Sequence, residues 1–354
     1  MERRINGILR SLLNCLIPIG LAFFVGGIVI LMIGENPIEA YGVLLRKSFF
    51  TAVGFQNTLH YAGPMILTGL AIAVTFKANI YNMGVEGSLL IGAFSAGIVG
   101  ANLTGLPSPV VKLLCFAVAI VFGVAFALIA AVLKVKFRAD EMVVTMMMNY
   151  ALSKVLEYLA TTVFRDSGSG YVCTPVVSDK AMFMRIFGRS RLTLFFFIVI
   201  ALLIIMYIVM KKSKLGYEIT AMGRNFEFAE AVGMNVGRKI ITVMVISGAL
   251  AGIAGAGWMM EDQYRYTLDF SGSPGLGWDG MLIALMGGHD PIGILIAAIF
   301  YAGLKTGADS INMYTNVPKE IVSLIQGLIV LFLAVKFISE RFRPLKFKSS
   351  AKEV

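Results

Sequence analysis

The sequence predicts an all-α, polytopic membrane protein of about ten transmembrane helices. Hydrophobic residues make up 58% of its 354 residues and charged residues only 15%, a composition typical of membrane proteins. The apolar residues are also grouped into runs that short polar stretches separate. Because about 20 apolar residues cross the hydrocarbon core as one helix, these runs predict the individual spans.

Ten runs fit such helices, although two of them are short. They cover residues 13–33, 58–76, 84–101, 111–133, 142–163, 192–210, 240–260, 276–287, 292–306 and 321–338. Gly287, Gly288 and Pro291 would break a single helix between the eighth and ninth runs, so two spans are the better prediction. The first run follows a basic segment like that of a signal peptide, but it is too long and no A-x-A cleavage site follows it. It therefore predicts an uncleaved span.

The distribution of basic residues predicts the orientation of the spans. Ten spans place both termini on one side, and most of the 31 Lys and Arg residues then lie on that side, which the positive-inside rule makes cytoplasmic. The sequence thus predicts one transmembrane permease domain over residues 1–354, with a basic cytoplasmic tail at 339–354. We attribute the net charge of +10 to this asymmetry and to anionic membrane lipid, and we expect no nucleic-acid partner.

Residues 211–239, called the central loop below, form the longest polar interruption between two strongly apolar runs. Segments 217–222 and 226–232 each resemble about two helical turns, and each precedes a glycine placed to end a helix in the left-handed conformation. These glycines are Gly223 and Gly233. Asn225 can cap the second helix. Helices this short are marginal alone in water, so packing against the chain's own bundle or against a second protein must order the loop.

Two short segments predict an inverted repeat. Residues 84–90 (GVEGSLL) and 277–283 (GWDGMLI) share the pattern G-x-[acid]-G-x-L-[L/I]. In the predicted topology the first opens an outward-running helix and the second an inward-running one. Interrupted helices in such an arrangement typically face a transport pathway. The hypothesis is an inverted repeat of helices 2–5 and 7–10, and a chance match in a glycine-rich chain is the alternative.

Polar side chains within the apolar runs are candidates for a translocation path. Asn82 and Glu86 lie in the glycine-rich interruption before the third run, where Glu86 could alternatively complement the N-terminal dipole of its own helix. The fifth run carries a polar stripe at every fourth residue, on one helix face. Its members are Glu141, Thr145, Asn149, Ser153 and Glu157. Hydrogen bonding between helices in the bundle interior is the alternative for the stripe.

Three further patterns allow structural explanations. Tyr301, Lys305 and Asp309 repeat the i, i+4 spacing near the outer end of the ninth run, where an interfacial anchor explains Tyr301 and Lys305 about as well as a pathway does. Lys154 lies beside the polar stripe and can pair with Glu157. The run 247–257, SGALAGIAGAG, predicts close helix packing.

The chain lacks the signatures of several other functions. No phosphate loop, H-E-x-x-H metalloprotease motif or nucleophile elbow is present, so we expect no catalytic residue and no cofactor bound by this chain. Three Cys and two His residues offer neither a disulfide framework nor a metal site. If transport is energised, the energy must come from an ion gradient or from another polypeptide.

Four stretches resemble a known family. They are 79–94 (NIYNMGVEGSLLIGAF), 140–150 (DEMVVTMMMNY), 216–239 (GYEITAMGRNFEFAEAVGMNVGRK) and 275–293 (GLGWDGMLIALMGGHDPIG). In this order they are similar to the permease subunits of ATP-binding-cassette importers for nucleosides, within the branched-chain amino acid and simple sugar permease group. The resemblance runs from about residue 58 to 338. Met83 and Ser88 depart from the isoleucine and glutamine expected there, which leaves the exact substrate open.

The resemblance implies a ten-helix permease of a bacterial plasma membrane with several partners. These are a second, shorter permease chain, two ATPase subunits that bind ATP-Mg, and an extracellular lipoprotein that delivers the nucleoside. It also implies that the central loop couples the permease to the ATPase. The coupling candidates are Gly216, Gly223, Asn225, Phe226, Glu227, Phe228, Glu230 and Gly233, with Phe226 and Phe228 as contact anchors and Glu227 and Glu230 as polar partners.

Two alternative functions stay open from the sequence. An ion-coupled secondary transporter would use Glu86, Glu141 and Lys154 within the inverted repeat, and it predicts gradient-driven uptake by this chain alone. An importer permease of the same group could instead carry simple sugars.

Overall fold

The computed structural model describes residues 19–272, 274–318 and 320–341, and this part of the chain is mostly helical. The helices, numbered in chain order, are α1 (Ile19–Met32), α2 (Pro37–Phe49), α3 (Ala52–Lys77), α4 (Val85–Asn102), α5 (Ser108–Phe137), α6 (Glu141–Tyr158), α7 (Phe195–Lys212), α8 (Lys214–Arg224), α9 (Phe226–Ala231), α10 (Val236–Trp258), α11 (Leu268–Ser271), α12 (Leu276–Met286), α13 (Pro291–Tyr314) and α14 (Glu320–Arg341). The π-helical turns Leu159–Val163 and Met259–Gln263 extend α6 and α10.

The chain divides into two compact units. One consists of Met1–Leu44 with Ala308–Val354, and the other is Leu45–Gly307. In the first unit the Tyr41 hydroxyl donates a hydrogen bond to the Phe23 carbonyl at 2.7 Å, joining α2 to α1. The second unit contains all the path and coupling candidates named above.

The predicted class of helical polytopic membrane protein is confirmed. Six helices among the described residues are long and apolar enough to cross a membrane. They are Ala52–Lys77, Val85–Asn102, Ser108–Phe137, Phe195–Lys212, Val236–Gln263 and Pro291–Tyr314. Each of the ten predicted runs overlaps a helix, although residues 13–18 of the first run lie outside the described residues. The number of ten spans stays a prediction.

The connection between the first two apolar runs contains helix α2, for which the sequence analysis predicted no helix. This helix carries Glu39 in its first turn and Arg46 and Lys47 in its last turn. Such charges favour a helix through its dipole, but they also interrupt the apolar pattern by which spans were recognised. Helix α3 then begins before the predicted residue 58, where the Thr51 hydroxyl accepts the N–H of Gly54 at 3.3 Å.

Small residues hold α4, α5 and α10 close together, as the run 247–257 predicted. A Cβ added to Gly92 of α4 would lie 2.7 Å from the Cα of Gly252 in α10. A Cβ added to Gly123 of α5 would lie 2.6 Å from the carbonyl oxygen of Gly248. Side chains larger than hydrogen cannot be placed at such distances, so these glycines allow the three backbones to touch.

Candidate translocation and coupling sites

Helices α4 and α12 begin close together in the interior of Leu45–Gly307. Glu86, in the first turn of α4, is 2% exposed. Its Oε1 atom accepts the N–H of Gly275 at 2.9 Å and its Oε2 atom accepts the N–H of Gly277 at 2.5 Å. Because the first N–H groups of a helix have no partner within the helix, Glu86 caps the start of α12 while lying in the first turn of α4.

The close approach of these two helices requires a glycine. A Cβ added to Gly277 would lie 2.7 Å from the backbone nitrogen of Glu86 and 2.8 Å from its Cα atom. Gly275, which precedes α12, has a φ of +76°, a conformation that glycine adopts without strain. Glu86 was considered as a partner for the N-terminus of its own helix, and it also binds the N-terminus of a second helix. Its role in a translocation path stays a prediction.

The polar stripe of α6 holds residues 81–87, which comprise the non-helical segment 81–84 and the first turn of α4. Three stripe side chains, four residues apart and at most 8% exposed, bind its backbone directly. The bonds are Tyr81 N–H to Glu141 Oε1 (3.3 Å), Met83 N–H to Thr145 Oγ1 (3.1 Å), Gly87 N–H to Asn149 Oδ1 (3.0 Å) and Asn149 Nδ2 to the Met83 carbonyl (2.7 Å). Backbone N–H and C=O groups outside a helix need such partners at membrane depth. The stripe supplies hydrogen-bond partners for the backbone that leads into α4.

The remaining path candidates also contact neighbouring elements. Asn82 donates from Nδ2 to the Ser247 hydroxyl of α10 at 3.0 Å and accepts the Gly84 N–H at 2.9 Å. Ser153 donates to the Ser271 carbonyl at 2.5 Å. The interhelical hydrogen bonds considered as the alternative for the stripe are thus present for Asn149 and Ser153, and a role in a translocation path stays a prediction.

Glu157 and Lys154 form the pair that their spacing allowed. The Lys154 ammonium lies 2.7 Å from Glu157 Oε2, and the Lys154 side chain is 80% exposed. Nothing buries this charge inside the bundle.

The second G-x-[acid]-G segment also opens a helix, and its acid has different partners. The Tyr301 hydroxyl of α13 donates to Asp279 Oδ1 at 2.8 Å, and the Lys305 ammonium lies 3.5 Å from Asp279 Oδ2. Tyr301 and Lys305 were recognised from their spacing, whereas Asp279 as their partner was not. The repeat itself stays a prediction.

A buried polar cluster that the sequence analysis missed joins α3, the segment before α7, and the end of α10. His60 of α3 lies 3.5 Å from Glu261 Oε2 and 3.3 Å from Asp262 Oδ1. The Thr193 hydroxyl donates to Glu261 at 2.6 Å, and Arg191 lies 3.8 Å from Asp262. The sequence signal for this cluster was the acidic pair Glu261 and Asp262, which directly follows the apolar run 240–260. Among the described residues no group of three or more His, Cys, Asp and Glu side chains has the arrangement of a metal site.

The central loop folds as the two short helices α8 and α9, packed against the chain's own bundle. The Asn225 side chain accepts the Phe228 N–H at 2.9 Å, which confirms the predicted cap of α9. Gly233 has a φ of +83°, and the N–H of Met234 bonds back to the Ala229 carbonyl at 3.0 Å. The predicted left-handed end of the second helix is therefore confirmed.

The prediction that Gly223 ends the first helix is wrong. Helix α8 runs from Lys214 through Gly223 to Arg224, and Gly223 has no positive φ. A Cβ on Gly223 would instead collide with the carbonyl group of Lys77, the last residue of α3. Gly216 similarly lies against the carbonyl of Met210 in α7. These glycines seat α8 on the ends of α3 and α7.

The two phenylalanines of α9 have different surroundings. Phe226 is half-buried and packs against the hydrophobic core, whereas Phe228 is 61% exposed. A surface cavity of about 290 Å³ lies beside Phe228. It is lined by Tyr217, Thr220, Ala221, Arg224, Asn225 and Phe228. Glu227 and Glu230 are exposed on the same helix. An exposed aromatic beside a cavity is typical of a surface that receives a partner's side chain.

Ion pairs join α8 to the start of α10 and the end of α7 to the turn after α12. Glu218 of α8 lies 2.5 Å from the ammonium of Lys239 at the start of α10. Lys211, in the last turn of α7, pairs with Asp290 in the turn between α12 and α13. His289 of that turn packs edge-on against the Phe76 ring of α3, with ring centroids 5.5 Å apart. The ends of α3, α7 and α12 therefore meet at one end of the bundle, together with α8.

Both titratable side chains of this turn have shifted pKa values. Burial lowers the pKa of His289 to about 4, and the positive charge of Lys77 acts in the same direction. For Asp290, burial raises the pKa, but the hydrogen bond and charge of Lys211 and the N–H of Ile292 outweigh it and lower the pKa below its ordinary value. At neutral pH the turn thus carries a neutral imidazole beside an ionised carboxylate.

Comparison with known proteins identifies the family. A family model described as a branched-chain amino acid transport system permease component matches residues 54–334. The chain belongs to this permease family. The permease is 33% identical over 333 residues to the guanosine ABC transporter permease protein NupP of Bacillus subtilis (strain 168), covering 93% of this chain and 94% of NupP. Its membrane class and its role as a non-catalytic transport subunit follow from this membership.

Two further relatives also match almost end to end. The permease is 32% identical over 347 residues to the nucleoside ABC transporter permease protein NupB of Lactococcus lactis subsp. cremoris (strain MG1363), covering 96% of this chain and 95% of NupB. It is 30% identical over 332 residues to the glucose ABC transporter permease protein TsgB13 of Haloferax volcanii, covering 91% of this chain and 87% of TsgB13.

Proposed function

We propose that this chain is the membrane-spanning permease of an ATP-driven importer for nucleosides. The observation that carries the proposal is the near end-to-end similarity to NupP and NupB, whose names specify guanosine and nucleosides. TsgB13 favours a second candidate substrate, a simple sugar such as glucose.

The proposal includes an arrangement in the membrane and a set of partners. Ten helices cross the plasma membrane, and both termini, the central loop and the basic tail at 339–354 lie in the cytoplasm. Residues 342–354 of this tail lie outside the described part of the chain. The grouping of Lys77, Lys211 and α8 at one end of the bundle supports a cytoplasmic face there. A shorter second permease chain, two ATPases holding ATP-Mg and an extracellular lipoprotein complete the importer.

The coupling step is assigned to α8 and α9. The exposed Phe228 and the cavity beside it offer a contact for an ATPase groove, while Gly216 and Gly223 seat α8 directly on α7 and α3. Closure of the ATPase pair on ATP then shifts the bundle between inward-open and outward-open states, because ATP binding favours one of them. The junction of α4 and α12 at Glu86 is the proposed moving element inside the path.

Uptake by the reconstituted complex tests this function. The permease, its second permease, the ATPases and the binding lipoprotein are placed in liposomes, and uptake of radiolabelled guanosine, uridine and glucose is measured with ATP and Mg²⁺ supplied to the ATPase side. We expect uptake of a nucleoside that stops when the ATPase is inactivated. Glucose uptake without nucleoside uptake would assign the sugar instead. Uptake by this chain alone under an imposed Na⁺ or H⁺ gradient would replace the importer by a secondary transporter.

A further inference from the structure

The turn between α12 and α13 contacts two elements through one side chain. Asp290 Oδ1 accepts the N–H of Ile292 at 3.1 Å and so caps the start of α13. Its Oδ2 atom pairs with the ammonium of Lys211. Lys211 lies in the last turn of α7, immediately before α8. The carboxylate therefore connects the turn after α12 to the first residue of the central loop, just before α8.

The other end of α12 lies at the interior junction. Helix α12 covers Leu276–Met286, and its start is capped by Glu86 of α4. An uninterrupted helix of this length is a stiff rod of roughly 16 Å, at about 1.5 Å per residue. It also packs closely along α3, since a Cβ on Gly280 would lie 2.6 Å from Cβ of Thr68. A displacement of the turn at Asp290 is thus transmitted to the junction at Glu86.

This ion pair is partly exposed to solvent, unlike the buried bonds of Glu86. The side chain of Lys211 is 43% exposed and that of Asp290 is 31% exposed. Ion pairs with this access to water contribute little to the free energy of folding. The bonds of Glu86, in contrast, are buried. Loss of the Lys211–Asp290 pair should therefore leave the fold intact and alter the mechanical connection that the pair makes.

We infer that the ion pair between Lys211 and Asp290 links the central loop to α12 and thereby positions the Glu86 junction during the transport cycle. Lys211 and Asp290 are positioning residues in this role, since neither lies at the junction itself. The inference rests on the proposed function of the central loop as the coupling element. It adds the route by which movement of α8 reaches the interior of the bundle.

A charge exchange in the complete importer tests the link. Lys211→Asp, Asp290→Lys and the double exchange are compared with the wild type for ATPase binding, ATP hydrolysis and guanosine uptake. We expect both single variants to bind and hydrolyse normally while uptake per ATP falls about tenfold, a typical size for coupling between sites. The double exchange should raise uptake per ATP several-fold above Asp290→Lys, because it restores the pair; lysine at 290 cannot accept the Ile292 N–H, so the cap of α13 is absent from both of these variants.

Two additional variants control for folding and for charge. Lys136→Asp makes the same charge change in the last turn of α5, at an exposed side chain outside both the central loop and the Asp290 pair, and should leave uptake per ATP unchanged. Asp290→Asn keeps an acceptor for the Ile292 N–H but removes the charge, and it should lower uptake per ATP as Lys211→Asp does. Unchanged uptake per ATP in Lys211→Asp and Asp290→Asn, or a double exchange no better than Asp290→Lys alone, would overturn the inference.

A second readout does not depend on the identity of the substrate. Spin labels on α8 and α12 report the change in distance between them when ATP is added to the complex. The change expected in the wild type should be absent in Lys211→Asp and present in the double exchange. If the wild-type chain binds no ATPase, the proposed function fails and the inference with it. If the wild type responds to ATP and the single variants respond equally, only the inference fails.

Discussion

The carboxylate of Glu86 accepts the backbone N–H of Gly277 at 2.5 Å, across 191 residues of sequence. These two residues belong to the two segments that share the pattern G-x-[acid]-G-x-L-[L/I]. The acid of the first segment thus caps the helix that the second segment opens, and the positive N-terminal ends of α4 and α12 lie on either side of one buried negative charge. The stability of this junction depends on that charge and on the small size of Gly277.

Replacing Glu86 by glutamine tests the role of the charge. Glutamine keeps the shape but has one acceptor oxygen, so its amide group would face one of the N–H groups of Gly275 and Gly277. We expect a loss of about 1–3 kcal/mol in the free energy of unfolding, the cost of a buried polar group without its partner. Denaturation in detergent measures it. Glu157→Gln, on a half-exposed side chain, is the control and should change little; an equal loss in both variants would contradict the role of Glu86.

Replacing Gly277 by alanine tests the close approach of the two helices. The added Cβ would lie 2.7 Å from the backbone nitrogen of Glu86, so α12 must move and the caps at its start must lengthen. We expect reduced stability and reduced uptake. Gly42→Ala is the matched control, because Gly42 lies within helix α2 and an added Cβ meets no atom within 4 Å. This control should be neutral or stabilising by about 0.5–1 kcal/mol, and a neutral Gly277→Ala would count against the junction.

The two phenylalanines of α9 should separate folding from partner binding. Phe226 packs against the core, so Phe226→Ala should lower the stability of the permease. Phe228 is exposed beside the cavity, so Phe228→Ala should leave the melting temperature unchanged and weaken association with the ATPase by about 1 kcal/mol or more, as truncation of an interface anchor does. Co-purification and thermal unfolding measure the two effects. Full ATPase binding by Phe228→Ala would exclude Phe228 as an anchor.

The features that sequence analysis predicted correctly are those with local causes. Apolar runs predicted the helices because burial in lipid depends on the residues of the run itself. The cap at Asn225 and the left-handed Gly233 follow from residues within one turn. Gly223 looked like a second helix end by the same rule. It lies inside α8 instead, because the end of α3 passes against it, and contact with another helix leaves no local pattern.

The partners of the site residues depend on contacts between distant segments. The spacing of Glu141, Thr145 and Asn149 placed them on one face, but it could not show that the face binds the backbone of residues 81–87. Glu86 was likewise recognised as a buried acid without its partner in α12. Helical periodicity identifies which side chains share a face, whereas the packing of helices decides what that face contacts.

The neutral state of His289 predicts an acid-sensitive turn. Its pKa is about 4 in the fold and about 6.5 in an unfolded chain, so only the unfolded chain binds the proton between these values. Stability is therefore lost as the pH falls below 6.5. His289→Asn keeps a residue that tolerates the φ of +57°, and it should remove about 1 kcal/mol of the loss between pH 7.5 and 5.5. Identical pH profiles for variant and wild type would contradict this assignment.

Replacing His60 alone should destabilise the permease, and replacing Glu261 as well should restore most of the lost stability. His60 lies between Glu261 and Asp262, and the Oε1 atom of Glu261 has no hydrogen-bond partner among the described residues. His60→Leu leaves the Glu261 carboxylate buried beside Thr193, so we expect a loss of about 3–5 kcal/mol, as for other broken buried ion pairs. His60→Leu combined with Glu261→Leu removes the unpaired charge and should recover most of that loss, because apolar side chains of similar volume often replace a buried pair at little cost.

Thermal unfolding of the two variants in detergent measures the difference. If the double variant is less stable than the single one, the cluster is held by packing and by Thr193 rather than by the contact between His60 and Glu261.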